Sequence, residues 1–378
     1  MKRFSVDLCV SVSLWFLKAL TSPQRHGDTE IHRETQGGSH VLRSALLMLL
    51  AFSLAGSAEG QTAPSKTYRG SIGDKHIEMR LNIDGSKVTG AYFYDQFKQD
   101  IKLEGAYDAK GQLLLTEGVG KRKTGKFVCK AKPETPDTDL ECEWSRPDGT
   151  GQAMVFLNEQ TIRLKNETKI LPKVITDRKT KAVASYPQFT GTVTTPAMAE
   201  FNRLMESLVQ AAVKEFQPDT IPNSSFNTNY SVMFADESIV SVELTEDSYA
   251  GGAHPNYRFW TVNYNLKTNK QLTLDDVFKK DVDYKTEIAE FVVKDINKRF
   301  EEIELEEAKL TKRQPEKRDE PFMTTDSLPE MDSWGLSAKG FVVYFDFAHV
   351  MAVFDRTVVP YGVLARQLRP DGVVTQVK

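Results

Sequence analysis

His76-Ile-Glu-Met-Arg-Leu-Asn-Ile83 alternates polar and apolar residues without exception, and Asp84-Gly85 follows it directly. A period of two belongs to a strand with one buried and one wet face, and Asp-Gly is a two-residue hairpin turn. Working outward, Val88 to Tyr94 is the return strand. Ile101, Leu103 and Tyr107 alternate again, Lys110-Gly111 turns, and Leu113 to Leu115 continues the ribbon. Lys126 to Ala131, Leu140 to Ser145 and Ala153 to Leu157 follow. Roughly seven or eight short strands with turn signals every ~8–12 residues, and no helical period, predict a small all-β barrel or sandwich over 65–160.

The two cysteines of this stretch test that reading. A hairpin that sets Cys129 opposite Cys142 also sets Phe127 opposite Trp144, so both pairs share one face. Directly opposed antiparallel residues sit at a spacing that a disulfide tolerates. A redox or metal role would call for CxxC spacing or a nearby His, and neither is there. The expectation is a Cys129–Cys142 disulfide.

Beyond the β region, residues 161–185 are rich in Lys and Arg around Pro172 and read as a linker that contains one short strand. Thr195-Pro196 then opens a helix, with Met198, Phe201, Met205, Val209 and Val213 on one stripe. Tyr230–Phe234, Ile239–Leu244 and Trp260–Leu266 read as strands, and Thr273-Leu-Asp-Asp276 as a capping box. A second long helix carries Tyr284, Ile288, Val292, Ile296 and Phe300, Phe341 to Phe347 is a buried strand, and a short helix to Leu368 closes the chain. Helices mixed with strands, without βαβ alternation, make 186–370 an α+β domain with an antiparallel sheet and two main helices.

Residues 1–58 read as an N-terminal extension and signal peptide. Arg43 precedes the apolar run from Ala45, and Gly56 and Ala58 supply small residues for cleavage. Uninterrupted apolar character reaches only Ala51, short of the ~20 residues that cross a bilayer, so no transmembrane anchor is expected after cleavage. Met1 to His40 reads as a stretch upstream of the working start. The 378 residues carry a formal charge of −3, and removing the six Lys/Arg and four Asp/Glu of 1–58 takes it to −5. That balance leaves no basic surplus to argue for nucleic acid as a partner, and no motif for a cofactor or a metal is present. Secretion or a periplasmic location is expected.

The most unusual local sequence is Tyr249-Ala-Gly-Gly-Ala-His-Pro-Asn256, which joins two strands with Leu244 facing Trp260 if the hairpin is symmetric about Gly252. Loops held by a rigid sheet commonly carry function. Tyr249, Gly251, Gly252, His254, Asn256 and Tyr257 are therefore the ligand-binding candidates. Glu246 or Asp247 with His254 forms the conceivable general-base pair. A single His in a tight Gly-rich loop more often hydrogen-bonds backbone, and no GxSxG or HExxH accompanies it, so no catalytic residue is assigned.

This stretch, with Tyr264 to Phe278 and the Phe341 to Tyr361 segment, resembles the exported domain of unknown function family 3298, the RsiV/PdaC-type C-terminal domain, over about 186–368. Residues Ala348 to Arg356 depart from the family's usual pattern there. The resemblance implies work outside the cytoplasmic membrane and binding of a cell-wall component or envelope protein, a lysozyme-like ligand included. Two functions follow as expectations: a non-catalytic binding protein of the bacterial envelope, or an envelope hydrolase using His254 with Glu246 or Asp247.

Overall fold

The computed structural model describes residues 65–133, 138–165, 167–216, 224–316 and 318–377. The signal segment expected within 1–58 lies outside them. The described residues fall in one compact unit, Ala63–Lys378.

Eight strands form a closed barrel: β1 (Ser65–Ile72), β2 (Lys75–Asp84), β3 (Lys87–Tyr94), β4 (Ile101–Tyr107), β5 (Leu113–Val119), β6 (Arg122–Cys129), β7 (Leu140–Ser145) and β8 (Ala153–Gln160). β1 is hydrogen-bonded to β2 on one side and β8 on the other, which completes the ring. Ile77, Met79 and Leu81 point inward with Tyr92, Leu115 and Phe127, as the period of two requires. Gly70 sits at the closure, where a Cβ would meet the Phe156 carbonyl oxygen at 1.8 Å. The expected register holds: Phe127 opposes Trp144, and Cys129 opposes Cys142 and is bonded to it.

One expectation fails in an informative way. The polar face of β1 and β2 is not wet throughout, because Arg69 is 2% exposed and Glu78 7%. The second sheet covers that part of the barrel. Arg69 forks onto Asp95, and its guanidinium also reaches Ser185 in the second sheet at 3.1 Å. The Asp95 carboxyl is held below the usual range by the Arg69 charge and hydrogen bonds, which outweigh its burial.

That second sheet has six strands in the order β14-β13-β12-β11-β10-β9, namely β9 (Lys169–Asp177), β10 (Ala182–Thr190), β11 (Ser225–Ala235), β12 (Ile239–Tyr249), β13 (Asn256–Asn265) and β14 (Lys270–Gln271). The segment read as a linker thus contains β9 and the start of β10, a hairpin paired from Ala182–Asp177 to Thr190–Lys169. Before it, Ile162 bridges Ala235, so the chain leaving the barrel is stitched to the end of β11. The sheet is antiparallel except at β10 and β11, which run parallel across α1 (Pro196–Glu215). A parallel pair needs a crossover, and α1 supplies it by laying Phe201, Met205 and Val209 on the sheet. Thr195 caps α1, accepting from the Met198 amide at 3.2 Å, with Pro196 in the first turn.

A second core lies under α2 (Leu274–Val277), α3 (Tyr284–Thr311) and a three-stranded sheet of β15 (Met331–Ser337), β16 (Gly340–Phe345) and β17 (Arg356–Val359). Thr273 and Asp276 form the predicted capping box. α3 runs to Thr311 and stops where Lys312 turns left-handed. The helix expected up to Leu368 is instead a run of turns, with Val363 bonded to Pro360 and Gln367 to Leu364, and the last helix is α4 (Val374–Val377). Gly362, at the start of that run, disfavours a regular helix.

Candidate functional site

β12 and β13 are longer than their apolar cores suggest, so the loop between them shrinks to 250–255. Their register places Leu244 opposite Trp260 and Ser248 opposite Asn256, the symmetry about Gly252 that the sequence predicts. Gly251 and Gly252 have φ of +100° and +111°, conformations that only glycine adopts readily. The Tyr249 hydroxyl donates to the Gly252 carbonyl at 3.2 Å and closes the loop on itself.

His254 is exposed, with Nδ1 2.9 Å from the Pro255 carbonyl oxygen. A carbonyl only accepts, so that contact places a proton on Nδ1. The ring lies on His349, with centroids 3.8 Å apart and planes within 3° of parallel. His349 belongs to the 3-10 turn His349–Phe354, inside the stretch that departs from the family pattern. Tyr257 stacks more loosely beyond it, at 6.3 Å. Burial, and then the neighbouring His254, lower the pKa of His349. Burial, with the charge of Asp247, pushes the Tyr257 phenol up to about 12.

The carboxylates are arranged differently from a general-base pair. Glu246 and Asp247 are adjacent on a strand and therefore lie on opposite faces. Glu246 accepts from Ser248 Oγ at 3.1 Å, and burial raises its pKa against that bond. Asp247 stands opposite Tyr257, and burial raises its pKa as well. Neither is hydrogen-bonded to His254 among the described residues. Asn256 is exposed at the start of β13.

The turn that carries His349 is anchored from below. Asp355 takes a hydrogen bond from the Phe347 amide at 3.1 Å, and burial lifts its carboxyl to about 7. One step further in, Glu243 accepts from Tyr344 and from Arg356 Nε at 3.1 Å, tying β12 to β16 and β17. The site is thus a shallow aromatic platform of two loops on a rigid polar base. Two cavities, of about 360 and 420 Å3, are lined by other residues. Among the described residues no group of three or more His, Cys, Asp or Glu is placed to hold a metal ion, and no helix is long and apolar enough to cross a membrane. Sequence reasoning selected His254 and Tyr257 but not His349, whose signal was its rarity as one of three histidines after residue 58.

Comparison with known proteins falls on this half of the chain. Residues 275–352 match the family described as protein of unknown function DUF3298, and residues 176–257 match the one described as deacetylase PdaC. The resemblance carried by the Gly-Gly-Ala-His-Pro loop is borne out. The peptidoglycan-N-acetylmuramic acid deacetylase PdaC of Bacillus subtilis is 29% identical over 113 residues, which are 29% of this chain and 24% of that protein. The chain thus matches about a quarter of its curated relative's length. A DUF3298 family member from Bacteroides fragilis is similar over 57% of this chain and 99% of its own, at 13% identity and a TM-score of 0.35. A second, from Pseudomonas aeruginosa, is similar over 55% and 95%, at 15% identity and a TM-score of 0.37.

Proposed function

We propose that the protein is an exported, non-catalytic binding protein of the bacterial cell envelope, whose platform of His254, His349 and Tyr257 recognises a cell-wall component or a partner protein. The observation that carries this reading is the stacking of His254 on His349 with Nδ1 committed to Pro255, apart from both nearby carboxylates. A general base needs its proton path and its orienting acid within hydrogen-bond reach, whereas a recognition surface needs flat faces and outward acceptors. The exposed ring of His254, with Nδ1 and not Nε2 committed to Pro255, meets that second need. The Cys129–Cys142 bond suits an oxidising compartment, and the relation to a peptidoglycan deacetylase suits the envelope.

Co-sedimentation with purified peptidoglycan tests the proposal. The wild-type protein is expected to pellet with the wall material, and His254→Ala with His349→Ala to release it at least tenfold while the melting temperature holds. Release of acetate or glycan fragments by the wild type, abolished by His254→Ala, would instead establish the hydrolase. Absence of pelleting together with capture of a wall-free envelope protein by the same platform would shift the ligand to a partner protein.

A further inference from the structure

Residues 65–160 lie outside both family matches, and there β4, β5 and β6 present an unusual row. On the outer face of the barrel, Gly118 of β5 has Lys102 of β4 as its register partner on one side and Lys123 of β6 on the other. A side chain in the middle position would ordinarily fill the space between such neighbours, and glycine leaves it open. The β5–β6 register shifts at Glu117 and Gly118, and the turn that follows brings Lys121 and Arg122 to the same gap. The result is a trough of about 420 Å3 lined by four cations.

The negative charge nearby does not cancel them. Glu117 turns its carboxylate into the barrel, where it accepts from Tyr92 at 2.5 Å and Trp144 at 3.1 Å. Glu104 is the one exposed acid of the lining. Several other surface cations do have acidic partners: Lys66 meets Glu159, Arg80 meets Asp100, Lys130 meets Glu141 and Lys173 meets Glu206. Among the described residues, Lys102, Lys121, Arg122 and Lys123 form no ion pair or hydrogen bond through their side chains. Like charges held across a strand work against the fold, and they stand out in a chain of formal charge −3.

We infer that this trough is a binding site for a linear phosphate polymer, with successive phosphate groups lying over Gly118 between Lys102 and Lys123. The Arg122 fork and the ammonium groups match phosphate oxygens, and the bare glycine lets the chain lie close to the backbone. Several cations in one trough call for several anionic charges, which one carboxylate does not supply. The site is independent of the histidine platform and stands or falls apart from it.

Isothermal titration of the full chain with a short sodium polyphosphate, at low and at about 0.15 M salt, reads the site. Affinity is expected to fall steeply with salt. Lys102→Ala with Lys123→Ala is expected to weaken binding at least tenfold. Gly118→Val keeps every charge but fills the trough, and is expected to weaken binding as much. The Gly118 backbone is not left-handed, and an added Cβ meets only the Arg122 carbonyl oxygen, at 3.3 Å. Melting curves confirm that each variant folds. Wild-type binding absent at low salt, or Gly118→Val binding as wild type does, overturns the proposal. So does tighter binding through the same residues to phosphatidylglycerol vesicles or to inorganic phosphate than to the polymer.

Discussion

Tyr230 serves Arg69 twice: its carbonyl oxygen accepts from Nε at 3.0 Å, and its ring face lies 3.5 Å from the guanidinium carbon. With Asp95 on the fork and Ser185 alongside, the cation is fully enclosed between the barrel and the second sheet. Such a cluster fixes how the two sheets register more than it adds to stability, because both charges had to leave water.

Removing one partner therefore costs far more than removing both. Arg69→Met should strand Asp95 and destabilise by about 3–5 kcal/mol, while Arg69→Met with Asp95→Leu should recover most of that loss. Urea denaturation of the three proteins measures it.

Two buried groups set opposing pH slopes. His76 sits with both ring nitrogens unpartnered, and burial together with the Arg69 charge lowers its pKa to about 4. The unfolded chain takes up that proton near pH 6.5, so this group removes stability as the pH falls from about 6.5 to 4. Asp355 works the other way. Its folded carboxyl, at about 7, binds a proton that the unfolded chain releases near 3.9, so stability falls as the pH rises from about 4 to 7. Relative to wild type, His76→Phe should become more stable on acidification through that window, and Asp355→Asn less so. Melting temperatures from pH 4 to 8 decide the signs.

The Cys129–Cys142 bond closes a short loop, with a sequence separation of 13. Replacing both by Ala should cost about 3 kcal/mol in the chain-entropy account and leave the barrel folded. Reductant should destabilise wild type and leave the double variant unaffected.

Within the platform, burial and then His254 lower the affinity of His349 for a proton. His254→Ala should move the His349 titration upward, toward the ordinary imidazole value near 6.5, as followed by the imidazole C–H resonances. An unchanged titration would mean that the rings do not meet in solution.

What the sequence made legible was what period two and short range can carry. Phe127 with Trp144, Cys129 with Cys142, and Leu244 with Trp260 all follow from counting along hairpins, and the structure pairs each of them. Thr195-Pro196 and Thr273–Asp276 announce their helices by local hydrogen bonds. Contacts between distant segments leave no such trace. Arg69 occupies a position that a solvated strand face would also fill, and Ser185 of β10 and Tyr230 of β11 enclose it. His254 and His349 come together because two loops converge, which no spacing encodes. The outward Gly118 looks like an ordinary turn glycine until its register partners are known.

The ring closed between β1 and β8 also bears on how the protein behaves when crowded. A ribbon joined to itself offers no free row of amides to a passing chain, so cross-molecule strand addition finds no starting point on that half. The six-stranded sheet does have a border at β9, but Pro172 withholds an amide there and Lys169 adds an exposed charge. Fibrillar assembly is thereby discouraged at that border.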